Sequence, residues 1–123
     1  MSSLTPYIPK DLDEALAELD EIFGEEARAV LLRVDANDEI VYHMGLGARL
    51  RKDWGLGEGS CLAQYFTSFG IENPNDMSAI LLESYWRRLH GRPIELEGQT
   101  RHYQEFWKRT KQDIDQSRSR YSR

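Results

Sequence analysis

Apolar side chains in this chain recur at spacings of three and four, in short runs that glycine or proline repeatedly closes, and that punctuation dictates short helices. The clearest run is Leu12, Ala15, Leu16, Leu19, Ile22 and Phe23, stopped at Gly24. Asp11 and Glu14 stand in front of it at the spacing of a capping box. The strongest start is Asn73-Pro74-Asn75-Asp76. Asn73 can cap, Pro74 takes a position that needs no amide donor, and Asp76 lies in the first turn. Met77, Ile80, Leu81, Tyr85 and Leu89 follow on one face, and His90-Gly91-Arg92-Pro93 ends the element.

Three further elements follow from the same rule. Leu46, Leu50 and Trp54 make about two turns with Arg49, Arg51 and Lys52 pointing outward. Gly59-Ser60 opens a helix carrying Leu62, Tyr65, Phe66 and Phe69, closed by Gly70. Tyr103, Phe106, Trp107, Thr110 and Ile114 form a last stripe from near Gly98, with Trp107 assigned to the core. Residues 25–34 read as helix on the propensities of Ala, Leu, Glu and Arg. A β-hairpin within 28–42, with a turn at Ala36-Asn37-Asp38, is the alternative. The expected fold is all-α: an irregular bundle of five or six short helices. A lead-in over 1–9 precedes a single domain over 10–115, and a frayed tail occupies 116–123.

Charge adds direction. The chain carries 16 Lys and Arg against 21 Asp and Glu, a net charge of −5, in 123 residues. Residues 1–44 hold three basic and eleven acidic side chains, and the remainder 13 and 10. A basic partner is therefore expected at Asp13, Glu14, Glu18, Asp20 and Glu21, and an acidic one at Arg87 and Arg88. The negative total opposes nucleic-acid binding, although Arg49, Arg51, Lys52, Arg87, Arg88 and Arg92 are interleaved with Trp54, Tyr85 and Trp86. No stretch is apolar enough to cross a bilayer, and Met1-Ser2-Ser3-Leu4-Thr5-Pro6 lacks the basic and apolar regions of a leader, so none is expected. The lone Cys61 fits a reducing compartment, so a cytoplasmic protein is expected.

Chemistry-bearing patterns are sparse. Five glycines between His43 and Ser60 could cradle an anion ahead of a helix, with His43, Gly45, Gly47, Arg49, Arg51, Trp54 and Ser60 as the contacts. The segment lacks the Gly-Lys-Ser/Thr ending of a phosphate loop, and Glu58 would repel phosphate. Tight turns between packed helices account for the same glycines. His43 could reach Asp53 or Asp76, which would suit a structural hydrogen bond, the commoner outcome, or a general base. His43, His90 and His102 form no metal-binding pair, so no metal and no cofactor are expected. Cys61 lacks the partners of a catalytic thiol and reads as helix packing. No catalytic set is assigned.

The run His43-Met44-Gly45-Leu46-Gly47, Leu50-Arg51, Trp54-Gly55-Leu56, Gly59-Ser60, Tyr65-Phe66, Gly70-Ile71, Asn73-Pro74 and Asp76-Met77-Ser78 resembles a family of small bacterial proteins carrying a domain of unknown function. The resemblance spans about residues 40–92. It departs at Met44, Lys52-Asp53, Gly57, Asn73 and Asn75, and implies a compact helical domain without an established activity. The function expected from all this is a small protein-interaction module, of the format of an immunity-type or regulatory inhibitor. The alternative is a small enzyme or anion-binding protein using residues 43–60.

Overall fold

A computed structural model describes residues 7–33 and 43–121, without the side chains of 30, 43, 44 and 118–121. Six α-helices follow one another: α1 (Leu12–Ile22), α2 (Glu25–Arg33), α3 (Ala48–Asp53), α4 (Cys61–Thr67), α5 (Pro74–Leu89) and α6 (Leu96–Tyr121). A π-helical turn over His43–Gly47 runs directly into α3. No strand occurs among the described residues. The helical reading of 25–34 therefore holds through Arg33, and the hairpin residues 34–42 lie outside the described ones.

The centre of the bundle is α5, which packs against all five other helices and the π-helical turn. Its sequence explains why. Met77, Ser78, Ile80, Leu81, Leu82, Ser84, Tyr85 and Trp86 are all buried, so apolar groups surround most of the helix rather than one stripe. Around it sit Leu16 and Leu19 from α1, Leu50 from α3, Trp54 and Leu56 from the following loop, and Leu62 and Phe66 from α4. Each full burial of such a side chain contributes about 1.5–3 kcal/mol before chain entropy is counted.

Local chemistry sets the helix ends. Asp11 caps α1 by accepting the Glu14 amide at 3.0 Å. The capping box closes differently from the expectation, because the Glu14 carboxylate accepts from the Lys10 amide at 3.1 Å and from the Tyr7 hydroxyl at 2.8 Å. Gly24 takes the left-handed conformation, φ 47°, that lets α2 fold back from α1. Asn73 caps α5 as expected, accepting from the Asn75 amide at 2.8 Å.

Several placements differ from the periodicity argument, Phe106 and Ile114 of the last stripe among them at 44% and 52% exposed. Ile22 and Phe69 lie on predicted apolar faces, yet they are 49% and 38% exposed. Arg51 does not point outward; it is half-buried and donates to the Ser78 hydroxyl at 2.9 Å. Trp107 is not core, being 44% exposed. The reason is geometric. At 1.5 Å per residue α6 is about 39 Å long, and only its first turns find bundle to pack against: Leu96 and Tyr103 pack on the core and Thr100 is buried. Helix continues through 116–121, and every residue from 111 to 117 is exposed.

Candidate functional site

The glycine-rich segment is built as a structural corner. Gly55 and Gly59 hold left-handed conformations, φ 57° and 72°. Most amides of the loop are consumed by the loop itself: Leu56 donates to Arg51, and both Glu58 and Ser60 donate to the Gly55 carbonyl. The Ser60 hydroxyl donates to the Trp54 carbonyl at 2.7 Å and accepts from the Ala63 amide at 3.2 Å, capping α4. Trp54 is only 3% exposed. Gly47 is buried where a Cβ would stand 3.1 Å from the Arg51 guanidinium and 3.4 Å from the Ser78 hydroxyl. Arg49 lies outside this packing, exposed and paired with Asp53 at 3.4 Å, and Gly45 is exposed. The His43 side chain lies outside the described residues. The set named from sequence is thus divided between the core and the surface, and a crevice of about 70 Å³ lies beside Leu46, Arg49, Leu50 and Trp54.

The acidic set divides too. Asp13 and Glu21 are exposed and Glu18 is half-buried. Glu14 secures the lead-in, and the Tyr7 and Lys10 hydrogen bonds hold its carboxyl below the ordinary carboxylate range. Asp20 fastens α1 to the core helix, accepting from the Tyr85 hydroxyl at 2.7 Å, while its carbonyl accepts from Arg28 of α2 at 2.9 Å. Burial, then the Asp20 contact, pushes the Tyr85 hydroxyl well above its ordinary range.

Of the two arginines assigned to an acidic partner, Arg88 is exposed. Arg87 is committed within the chain. It donates to Glu83 at 2.6 Å, to Glu95 at 3.2 Å and to the Pro93 carbonyl at 3.1 Å, and the Glu83 bond raises its pKa. Glu83, Arg87 and Glu95 line a cleft of about 350 Å³ between α5 and the start of α6, with Gln99, His102 and Tyr103 also in its wall. Glu95 holds φ 52°, a left-handed conformation that a non-glycine residue adopts at a cost of about 1–2 kcal/mol. Trp86 is buried under Arg92, with 5.0 Å between guanidinium and ring, and it stacks on His90. One His90 ring nitrogen lies 2.9 Å from the Trp86 carbonyl oxygen and the other 3.0 Å from that of Leu32, so the ring joins the ends of α2 and α5. Cys61 is exposed with its thiol 3.7 Å from the Pro9 carbonyl.

Three of the exposed large apolar side chains among the described residues belong to α6. Phe106, Trp107 and Ile114 are 44%, 44% and 52% exposed. Trp107 is anchored by its indole N–H, which donates to Asp76 at 2.6 Å, and Gln104 donates to the Phe69 carbonyl. Burial raises the Asp76 carboxyl, and the indole contact opposes that shift. Between α6 and the α4–α5 link runs an open groove of about 530 Å³ lined by Gly70, Glu72, Asn73, Pro74, Trp107 and Lys111. Sequence periodicity placed Trp107 on an apolar stripe and could not see that the stripe outruns its core. The one hint was that past Trp107 the stripe thins to Thr110 and Ile114.

Among the described residues, no group of three His, Cys, Asp or Glu side chains could hold a metal ion, and no helix is long and apolar enough to cross a membrane. A family model described as "Domain of unknown function (DUF6794)" matches residues 8–89. The match takes in α1 and α2 as well as the segment from residue 40, and it ends with α5, before α6. No curated protein and no solved structure matches the chain.

Proposed function

We propose that this chain, which belongs to the family of unknown function DUF6794, is a protein-interaction module that acts by occupying another protein, as a small regulatory or immunity-type inhibitor does. Its setting on this reading is the cytoplasm. The observation that carries the proposal is the far half of α6, where Phe106, Trp107 and Ile114 stand about half exposed, Trp107 held only at its indole N–H by Asp76, and every described residue from 111 to 117 is exposed. Isolated surface hydrophobics are ordinary, but a run of large ones beside an open groove marks a binding surface. Tryptophan is also among the side chains that most often carry interface energy. The polar groups around the glycine-rich corner support the same reading, because Ser60, Arg51 and the loop amides already serve the fold.

The test is capture of a stoichiometric partner from the native host by the wild-type chain and by a Trp107→Ala/Ile114→Asp variant of unchanged helical content. The wild type is expected to retain one protein that the variant loses. Equal capture by both, or turnover of a small molecule by the purified chain, overturns the proposal.

A further inference from the structure

We infer that the far half of α6 pairs with the same half of a second copy of this chain, the two helices antiparallel about a two-fold axis level with Gln112. The inference rests on reading that half as a binding surface and names what covers it in the purified protein.

Three observations converge on this arrangement. First, Trp107, Thr110, Ile114 and Ser117 follow spacings of four and three along one face, continuing the seam of Leu96, Thr100 and Tyr103 that α6 turns to its own bundle. The face that packs intramolecularly at one end of the helix is therefore the face left open at the other. Second, residues 107 and 117, and likewise 110 and 114, share 112 as their midpoint. An antiparallel copy centred there sets Trp107 against Ser117 and Ile114 against Thr110, so each layer joins a large side chain to a small one, as interdigitating helix packing requires.

Third, the charges are self-complementary in the same register. Arg109 and Asp113 lie on one flank of the seam, and Lys111 and Asp115 on the other. Antiparallel pairing about residue 112 sets Arg109 of one copy on the same flank as Asp113 of the other, two residues or about 3 Å apart along the axis, and Lys111 likewise near Asp115, each contact occurring twice. Although these residues are spaced for ion pairs along their own helix, none of the four forms one in the described chain. The groove that Trp107 and Lys111 line with the α4–α5 link lies at the level the second copy's Ile114 would reach.

Sedimentation equilibrium of the full chain tests the inference. The expected result is a mass that doubles with rising concentration. Ile114→Ser, at a half-exposed site, should shift the midpoint to higher concentration by about tenfold or more with the fold intact by circular dichroism. Arg109→Asp alone should weaken association, and Arg109→Asp/Asp113→Arg should restore it, since the swap recreates both pairs across the two-fold. A monomer at every concentration overturns the inference, as does a dimer insensitive to Ile114→Ser and to the charge swap. A monomer that still captures a different protein through Trp107 leaves the reading of the surface standing, so the two failures are distinguishable.

Discussion

Removing one oxygen atom from Tyr85 tests how α1 is fastened to the core. The phenol is 1% exposed, its ring lies 5.3 Å from that of Phe23, and its hydroxyl donates to the Asp20 carboxylate at 2.7 Å. Tyr85→Phe keeps the ring packing and deletes only the hydrogen bond. A bond to a charged acceptor is worth about 1.5–3 kcal/mol. Asp20 is half-buried, so water replaces part of the lost donor, and the expected loss lies near the lower end, about 2 kcal/mol. For a domain of this size that lowers Tm by roughly 6–10 °C. The hydroxyl is held protonated far above neutrality by burial and by Asp20, so it remains a donor throughout the neutral range. Urea denaturation of the wild type, Tyr85→Phe, Asp20→Asn and the double variant completes a cycle with an expected coupling of about 1 kcal/mol. A Tyr85→Phe protein within about 0.5 kcal/mol of the wild type, or a cycle without coupling, refutes the assignment of this contact as the α1 anchor.

Further outcomes can be checked with the same denaturation assay. Ser60→Ala removes the α4 cap and the bond to the Trp54 carbonyl together, and should cost about 1–2 kcal/mol. Glu95→Gly should be more stable than Glu95→Ala by about 1 kcal/mol, because both lose the Arg87 contact and only glycine relieves the left-handed backbone; equal stabilities would contradict the strain. Gly47→Ala drives a Cβ toward Arg51 and Ser78 and should lower Tm, whereas Gly45→Ala, which meets nothing within 4 Å, should not. The Glu14 carboxyl is held below its unfolded value, so its support of the lead-in is fully present above the unfolded pKa and is lost as pH falls through the folded one. Tyr7 resonances followed by NMR should report that release, and Glu14→Gln should abolish its pH dependence.

Most of the helices were legible because their signals are local. Caps such as Asp11, Ser60 and Asn73, the left-handed glycines 24, 59 and 70, and apolar spacing act within a few residues of one another, and each stands where the chain announces it. The roles of individual polar residues were not legible in that way. Asp20 and Tyr85 are 65 positions apart, and Arg51 and Ser78 are 27 apart, so nothing along the chain says that these acidic and basic side chains face inward and spend their charge on the fold.

The candidate surface shows the same division. Periodicity determined that α6 is amphipathic, that Trp107 and Ile114 share its apolar face, and that the chain is an all-α domain. Whether that face is core or surface depends on how far α5 and the α4–α5 link extend beside it. Burial is a property of what packs against a side chain, and only the tertiary structure decided that the bundle ends before the helix does.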